Sequence, residues 1–352
     1  MILYDISEYL DDVRLIANAP LPWQKLHNKS VMLSGATGMI GSFMIDVLLY
    51  KNQYDGLGCE IYALGRNEQK AALRFGENMK HIHFIHYDIN KPFVKDDLGT
   101  IDYMIHLAST THPVAYATDP IGTITVNILG IANMLEFANC HHATRCAFAS
   151  SNEVYGENRG DVEMFDEKYC GYIDCNTMRA GYPESKRCGE ALCQAYIRQK
   201  NLDVVIPRFT RTYGPTMLMS DTKAISQFLK KAVANEDIIL KSAGNQYYSY
   251  TYVADAVGGL LTVLLCGDKG EAYNISDKAS DIILKDLAAL MAATNGRQVL
   301  FELPDEVESA GYSKATKARL DSSKIQQLGW RAHFDIKTGI ERTIRMLKAL
   351  KS

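Results

Sequence analysis

The sequence predicts an α/β protein, in which helices cover both faces of a doubly wound parallel sheet. Short apolar runs alternate with stretches of helical periodicity from residue 30 to residue 209. A glycine-rich turn, GATGMIG, follows the first of these runs and opens a helical pattern. Strands that alternate with helices pair in parallel, and right-handed crossovers then wind the sheet in both directions.

Six strands are predicted from apolar runs that end at turn residues or polar clusters. They are VML (31–33), CEIYALGRN (59–67), HIHFIHYDI (81–89), IDYMIHLAS (101–109), RCAFASSNEVYG (145–156) and DVVIPRF (203–209). Longer helical patterns lie between them, notably at residues 119–139 and 179–199. The alternation therefore continues through the sixth strand, as expected of a Rossmann sheet.

Three segments are predicted along the chain. Residues 1–28 form an N-terminal helical extension, and residues 29–212 form the Rossmann domain with the catalytic residues. Beyond residue 213 helical patterns dominate, with short strand candidates among them, DIILK and EAYNIS. Residues 213–352 are therefore predicted to be a smaller α+β substrate-binding portion. It is expected to close over the carboxyl ends of the strands. The expectation allows the chain to cross back between the two lobes.

Composition and charge exclude several classes of protein. The chain of 352 residues is 47% hydrophobic and 22% charged, which is typical of a globular protein and not of a disordered one. Its net charge of −3 argues against nucleic acid as the main partner, because phosphate neutralisation needs a basic face. No apolar run is judged long enough to span a bilayer, so no membrane partner is expected.

The cysteines and histidines predict neither disulfides nor a metal site. Eight cysteines occur without a C-x-x-C pair, and the acidic, amphipathic N-terminus is unlike an export signal. Reduced thiols and a cytoplasmic location are therefore expected. In HIHFIHYD, a strand would place His86 on the face opposite His81 and His83, so no metal is expected there.

Gly35, Gly38 and Gly41 have the G-x-x-G-x-x-G spacing of a dinucleotide-binding turn. Glycine permits the tight turn, and it lets phosphates approach backbone N–H groups at the start of the following helix. A glycine trio alone is a weak signal, but its place between a strand and a helix predicts NAD(P) binding strongly. Further cofactor contacts are assigned to Thr37, Met39, Ile40, Ile89, Leu107, Ala108, Ser109 and Phe209.

The end of the second strand bears on the choice between NAD and NADP. NAD-binding proteins usually place an acid there for the ribose hydroxyl, whereas an Arg accepts a 2′-phosphate. Here Arg66 follows Gly65, and no acid occurs before Glu68. This pattern favours NADP, and an Arg66 stacked on the adenine of NAD stays open as the alternative. Asp88, after the third strand, suits the edge of the adenine.

Tyr182 and Lys186 form a Y-x-x-x-K pair at the start of a predicted helix. The i, i+4 spacing puts both side chains on one face. An ammonium group beside a phenol favours the phenolate and lowers a pKa that is about 10 in the unperturbed side chain. A Tyr so placed can take a proton from a sugar hydroxyl while a hydride leaves the carbon.

With these residues in place, the chain resembles the extended short-chain dehydrogenases/reductases that act on nucleotide sugars, and among them the UDP-glucuronate decarboxylases most. The resemblance runs from residue 30 nearly to the C-terminus. It is carried by HLASTTHPVAYATDPIGTITVNILGIANMLEFA, RAGYPESKRCGEALCQAY, ASSNEVYG and RLDSSKIQQLGW. It implies a tightly held and recycled NAD(P), a UDP-sugar as the substrate, and a homodimer that pairs through two long helices.

The resemblance also assigns two further catalytic residues. Ser151 matches the hydroxyl that polarises the sugar C4 oxygen, and Glu153 matches a carboxylate that decarboxylases and 4,6-dehydratases carry and simple 4-epimerases usually lack. Oxidation at C4 makes the substituents of C5 labile, so that a C5 carboxylate leaves as carbon dioxide or a C6 hydroxyl leaves as water. Either route needs an acid or base near C5. An exposed acid at a strand end stays open as the alternative explanation of Glu153.

Several positions depart from the family pattern. Asn152 stands where dTDP-glucose dehydratases carry an acid for the leaving hydroxyl, which weakens that assignment. Arg211 replaces a usual Asn and Tyr248 replaces a usual Arg. Arg211 is therefore predicted to restore a lost phosphate clamp, with Arg319 as the second candidate, and a different substrate is the competing explanation. The remaining substrate contacts are assigned to Thr110 and Tyr116.

The function predicted is oxidation of a nucleotide sugar at C4 followed by decarboxylation at C5. A 4,6-dehydratase or epimerase acting on another nucleotide sugar is the alternative. A non-catalytic dinucleotide sensor with this fold is a third possibility, since a fold does not determine a function. It is disfavoured because the Tyr, Lys, Ser and Glu expected of an enzyme are all present.

Overall fold

The computed structural model describes residues 2–93, 98–111, 113–302, 304 and 316–351. Its strands are, in chain order, β1 Ser30–Ser34, β2 Glu60–Gly65, β3 His83–His86, β4 Tyr103–His106, β5 Arg145–Phe148, β6 Ser150–Ser151, β7 Val204–Phe209, β8 Arg211–Tyr213, β9 Ile238–Leu240, β10 Tyr247–Tyr252, β11 Ala272–Ile275, β12 Asp281–Ile283, β13 Val299–Phe301 and β14 Lys317–Ala318. Its helices are α1 Ser7–Ala17, α2 Met39–Asp55, α3 Glu68–Phe75, α4 Pro113–Thr118, α5 Pro120–Cys140, α6 Gly181–Lys200, α7 Ala224–Val233, α8 Val253–Cys266, α9 Leu284–Ala293, α10 Ser323–Gln327 and α11 Ile336–Ala349.

Within this part of the chain, eight strands form one parallel sheet in the order β3-β2-β1-β4-β5-β7-β11, with β6 paired to the end of β7. The predicted doubly wound parallel sheet is confirmed. The strand order reverses between β1 and β4, which lie side by side. At such a switch point the connections leave in opposite directions, and a ligand crevice opens at the carboxyl ends of the strands.

Both faces of the large sheet are covered. Val31 and Leu33 of β1 belong to the apolar core shared with α1, α2 and α8, whereas Met32 belongs to the core shared with α5 and α6. This alternation follows from the period of two residues in a strand. All five residues of β1 are buried, as in parallel sheets that carry helices on both sides.

Strand β11 corrects the placement of EAYNIS in the smaller portion. Residues 272–275 pair in parallel with residues 206–209 of β7, at the edge of the large sheet. Helix α8 lies over this strand, and the side chain of Ile275 approaches its Gly259. Joining the large sheet lets Tyr273 and Ile275 enter the core beneath α8. The chain therefore crosses back into the Rossmann lobe after β10.

Helix α5 corrects the expectation that no apolar run could span a bilayer. Its 21 residues are long and apolar enough to do so by length and composition, with a mean hydropathy of 1.4. In the fold this helix packs against α6, and its polar residues Thr123 and Asn127 are buried. Helices in the interior of a large protein are apolar on several sides for the same reason.

The remaining strands form the smaller lobe. Strands β12, β10 and β14 lie side by side in that order, β8 also pairs with β10, and β9 pairs with β13. Because β8 follows β7 after one residue, the small sheet starts at the carboxyl end of the large one. Residues of β8, β10 and α7 therefore line the same clefts as the loops that follow β4 and β6.

Candidate active site

The glycine turn lies at the switch point. Gly35 has a φ of 72°, a left-handed conformation that favours glycine, and a Cβ added to it would lie 2.8 Å from the backbone N of Ala108. A Cβ on Gly41 would collide with the carbonyl oxygen of Gly35. The turn thus brings the start of α2 against β1, where the first N–H groups of the helix lack partners within it. Such a helix start binds phosphate groups.

A cleft of about 1060 Å³ opens from this turn, and we call it the cofactor cleft. The sequence-predicted residues that line it are Gly35, Gly38, Met39, Ile40, Gly41, Leu107, Ser109, Tyr116, Ser151, Asn152, Glu153, Tyr182, Lys186, Phe209 and Arg211. The cleft thus extends from the glycine turn to the predicted catalytic side chains. These residues fit an NAD(P) molecule, whose phosphates the glycine turn would hold.

Five predicted cofactor residues lie outside the lining of this cleft. Thr37 is half-buried within the turn, and Ala108 donates its backbone N–H to Ser34 Oγ at 3.2 Å. Arg66 is exposed at the end of β2. Asp88 and Ile89 follow β3, and the carbonyl oxygen of Ile89 accepts from Asn133 Nδ2. The roles of these residues stay predictions.

Tyr182 and Lys186 lie on the first turns of α6, and both are buried. Lys186 Nζ donates to the carbonyl oxygen of Ala149 at 2.8 Å and lies 5.9 Å from the centre of the Tyr182 ring. Burial lowers the pKa of Lys186 to about 7, because the interior disfavours its charged form.

The expected depression of the Tyr182 pKa is not found in this structure. Burial, followed by the charge of Glu153, raises the pKa of Tyr182 to about 12, while hydrogen bonding to Ser151 and Ser109 and the charge of Arg179 act in the opposite direction. The loss of hydration outweighs these favourable contacts. The spacing of the pair was predictable from the sequence, but this balance depends on how deeply α6 is buried.

A chain of hydrogen bonds supports the start of α6. Ser109 Oγ donates to Asn127 Oδ1 at 2.7 Å, and Asn127 Nδ2 donates to Ser185 Oγ at 2.9 Å. Ser185 Oγ in turn donates to the backbone oxygen of Tyr182 at 2.8 Å. Asn127 was not identified from the sequence. The only signal was a polar residue within the apolar pattern of α5, and that signal does not reveal its partners.

Ser151 and Glu153 stand where β6 ends. Ser151 Oγ accepts the backbone N–H of Glu153 at 3.2 Å and so begins the 3-10 turn Asn152–Tyr155. The Glu153 carboxylate pairs with Arg179 Nη2, at 2.6 Å to Oε1. The side chain of Glu153 is 20% exposed, so the alternative of an open strand-end acid does not describe it.

Arg179 connects Glu153 to Tyr182. Its guanidinium lies 4.6 Å from the centre of the Tyr116 ring, and that ring stacks on Tyr182 with 5.0 Å between centroids. In the part of the chain that the structure describes, Arg179 Nε and Nη1 are buried without a hydrogen-bond partner. In the sequence Arg179 was only part of a family motif. Its contact with Glu153 joins residues 26 apart in the chain.

A second cleft, of about 1040 Å³, is called here the substrate cleft. It is lined by Tyr116, Glu153, Arg211 and Tyr248 from the sequence predictions, together with Arg179 and residues of α7 and β9. The Arg211 guanidinium lies 3.4 Å from the centre of the Tyr248 ring. The structure thus brings together the two departures from the family pattern.

Two predicted substrate residues lie elsewhere. Arg319 is outside the lining of both clefts: its guanidinium lies over the ring of Tyr247 at 4.5 Å and is 3.8 Å from Glu163. Thr110 is half-buried in the loop after β4, between Ser109 and Thr111, which line the cofactor cleft. In the parts of the chain described, no group of three His, Cys, Asp or Glu residues could hold a metal ion.

A family model described as "NAD dependent epimerase/dehydratase family" matches residues 31–276. The chain belongs to this family. The match spans the glycine turn, the Tyr–Lys pair and the strand β11 that returns to the large sheet. A member of the NAD dependent epimerase/dehydratase family is an enzyme, so the sensor alternative is set aside.

Named relatives within this family are also similar to the chain. UDP-glucuronic acid decarboxylase 1 of Danio rerio is 28% identical over 321 residues, which cover 90% of this chain and 72% of that protein. UDP-glucuronic acid decarboxylase 3 of Arabidopsis thaliana is 30% identical over 243 residues, or 69% and 68% of the two chains.

Solved structures show the likeness of the fold. The structure of UDP-glucuronic acid 4-epimerase from Bacillus cereus, in complex with UDP-glucuronic acid and NAD, superposes with a TM-score of 0.75 at 21% identity. The superposition covers 91% of this chain and 99% of the epimerase. At this identity the comparison supports the Rossmann architecture of the large lobe.

Proposed function

We propose that the protein oxidises a UDP-sugar at C4 with NAD(P) and then decarboxylates it at C5, as a UDP-glucuronate decarboxylase does. The observation that carries the proposal is the Glu153–Arg179 pair, which lies where the cofactor cleft and the substrate cleft meet, one aromatic ring away from Tyr182. The named decarboxylases that resemble the chain support the same reaction.

Each catalytic side chain has one task in this proposal. When bound, NAD(P) supplies an acceptor for the C4 hydride and later gives that hydride back. Tyr182 takes the proton of the C4 hydroxyl, and Ser151 holds the same oxygen by a hydrogen bond. Lys186 stabilises the phenolate through its charge, which is available because its lowered pKa of about 7 still allows protonation near neutral pH.

Glu153 is assigned the acid–base step at C5. The C4 ketone makes the C5 carboxylate a β-keto acid, whose C5–C6 bond breaks to release carbon dioxide. The electron pair of that bond passes to the enolate of C4 and C5, which then takes up a proton at C5. Glu153 lines both clefts, and its ion-pair partner Arg179 lines the substrate cleft.

A second candidate is epimerisation at C4 of the same kind of sugar. One observation favours it: both carboxylate oxygens of Glu153 bind Arg179, and a 4-epimerase needs only the Tyr, Lys and Ser. The structural similarity to a UDP-glucuronic acid 4-epimerase agrees with this reaction. Arg66 suggests NADP over NAD, and this choice stays a prediction. The homodimer and the cytoplasmic location also stay predictions.

Mass spectrometry of the purified protein incubated with UDP-glucuronate tests the proposal, with NAD and NADP in parallel reactions. Loss of carbon dioxide, giving a UDP-pentose or its 4-keto form, is the expected result. Tyr182→Phe should abolish the mass change, because no other group at C4 can take the proton. Glu153→Gln should slow protonation at C5, and with it formation of the UDP-pentose, while C4 oxidation still reduces the cofactor, seen as absorbance of its reduced form.

An unchanged substrate mass with formation of the C4 epimer would establish the epimerase instead. No reaction with either cofactor, in a protein that binds UDP-glucuronate, would refute both candidates. Arg159→Gln is the matched control, because Arg159 pairs with Asp161 on the surface and its side chain is 58% exposed. We expect it to turn over like the wild type.

A further inference from the structure

Arg211 occupies the point where three clefts meet. It lines the cofactor cleft and the substrate cleft, and it also lines a side cleft bordered by Asn152, Glu153, Thr177 and Arg179. Its strand, β8, pairs with β10, and the guanidinium lies over the Tyr248 ring. Stacking on an aromatic face holds the plane of an arginine, and a side-chain hydrogen bond to Tyr248 adds to this contact in Arg211.

The Arg211 guanidinium has unused donors in this position. Arg211 Nη1 is buried without a hydrogen-bond partner among the described residues, as are Nε and Nη1 of Arg179. A buried N–H without a partner costs free energy, and the cost is larger in a charged group. Three donors from two guanidinium groups therefore remain for a ligand that enters beside Glu153.

The charges around this point do not balance. Arg179 and Arg211 contribute two positive charges, and Glu153 contributes one negative charge. Lys223 and Asp221, which both line the cofactor cleft, form their own ion pair at 2.6 Å. One anionic group is therefore missing from the set, and a planar carboxylate matches a guanidinium through two parallel hydrogen bonds.

We propose that Arg211, with the free donors of Arg179, is the receptor for the carboxylate of the substrate sugar, and that it restricts the substrate to uronic acids. This inference rests on the proposed function and adds the group that selects its substrate. Arg211 lines the same cleft as Ser151 and Tyr182, which hold the reacting carbon. A residue that clamps the diphosphate would lie on the far side of the sugar ring instead.

Binding measurements in a Tyr182→Phe background, which prevents turnover, test the receptor in the presence of NAD. The ligands are UDP-glucuronate, UDP-glucose and UDP. Arg211→Gln should weaken the binding of UDP-glucuronate about 10- to 100-fold, the effect of losing a charged hydrogen-bond pair. The dissociation constants of UDP-glucose and UDP should change less than about threefold. The affinity of Arg211→Lys for UDP-glucuronate should lie between those of the unsubstituted protein and Arg211→Gln. Lys keeps the positive charge but lacks the two parallel N–H donors of a guanidinium.

The alternatives give different patterns. A parallel loss of affinity for all three ligands would identify Arg211 as a diphosphate clamp and overturn the receptor. Unchanged binding of UDP-glucuronate, or equal binding of UDP-glucuronate and UDP-glucose by the unsubstituted protein, would also overturn it. Thermal melting of each variant verifies its fold, and Arg159→Gln serves as the control, since Arg159 lies over Tyr169 but outside these clefts.

The receptor and the decarboxylase can fail separately. If the Arg211-dependent preference for UDP-glucuronate is found and no carbon dioxide is released, the receptor stands and the reaction is another one on a uronic acid. If carbon dioxide is released and Arg211→Gln leaves KM unchanged, the decarboxylase stands and the receptor is refuted. As a binding residue, Arg211 should affect KM more than kcat.

Discussion

At the scale of single residues, burial decides the protonation of the side chains near the switch point. His106 ends β4, and its Nδ1 lies 2.8 Å from Ser34 Oγ, which also accepts the backbone N–H of Ala108. This contact ties the end of β1 to the loop that lines the cofactor cleft. His106 was not singled out in the sequence, where it is one more residue of an apolar strand.

His106 predicts a pH dependence of stability. Burial, and then the charge of Lys186, lowers the pKa of His106 to about 3. The folded protein therefore keeps the imidazole neutral, while the unfolded chain takes up a proton below its ordinary pKa of about 6.5. The contribution of His106 to stability is therefore present above pH 6.5 and is lost as the pH falls toward 3. The loss is about 2 kcal/mol at pH 5.

Urea unfolding of the wild type and His106→Gln between pH 5 and pH 8 measures this effect. The Gln amide can keep a hydrogen bond to Ser34 and does not titrate. We expect the difference in unfolding free energy between the two proteins to shift in favour of the variant as the pH falls. If the unfolding free energies of the two proteins change in parallel over the whole pH range, the pKa of His106 is the same in the folded and the unfolded state.

At the scale of elements, the fit of α6 against β5 sets the position of the catalytic pair. A Cβ added to Gly189 would lie 2.5 Å from Cζ of Phe148, so the helix rests directly on that ring. Lys186 Nζ lies 4.9 Å from the centre of the same ring. One contact therefore controls both the height of α6 above the sheet and the placement of Lys186.

Gly189→Ala should disturb this fit. The added methyl group must push α6 or Phe148 aside, at a cost of about 1–3 kcal/mol for an overpacked core. We expect a lower melting temperature and a lower kcat, because Tyr182 and Lys186 move with the helix. Gly99→Ala is the control, since a Cβ there meets no atom of the described residues within 4 Å. Equal losses in both variants would contradict the proposed contact.

At the scale of the whole molecule, helix α1 ties the N-terminal segment to both lobes. Asp12 Oδ2 accepts from Tyr252 Oη at 2.6 Å, and Asp12 Oδ1 accepts from Arg342 Nη2 at 2.6 Å. Tyr252 ends β10, and Arg342 lies on α11. Tyr9 of the same helix hydrogen-bonds to Asp46 on α2 of the Rossmann lobe. The predicted N-terminal extension thus packs as part of the fold.

Asp12→Asn should destabilise the whole protein. The variant places an amide donor where two donors converge, and it leaves the Arg342 guanidinium, whose side chain is 18% exposed, with Glu8 as its remaining ion-pair partner at 3.2 Å. Removing one member of a buried ion pair costs about 3 kcal/mol, which urea unfolding can resolve. Asp11→Asn is the neighbouring control, because Asp11 pairs with Arg14 on the surface with both side chains more than half exposed. A small change in the unfolding free energy of both variants would show that the contacts of Asp12 with Tyr252 and Arg342 do not stabilise the fold.

Much of the site could be predicted because its signals are local. The glycine turn and the Tyr182–Lys186 pair each depend on residues within a few positions of one another, and both occupy the cofactor cleft. EAYNIS was correctly predicted as a strand but placed in the wrong sheet. The pattern that predicts a strand lies within its own residues, whereas the strand that pairs with it depends on distant parts of the chain.

The sequence by itself determined the alternation of strands and helices, the switch-point turn and the family, since each follows from a short-range period or motif. The tertiary structure decided which side chains meet. It paired Glu153 with Arg179 and set Arg211 on Tyr248, residues that no periodicity relates. The depth of burial likewise decided the pKa of Tyr182 and Lys186. Such contacts and burial arise from the packing of distant segments, and only the assembled fold contains that information.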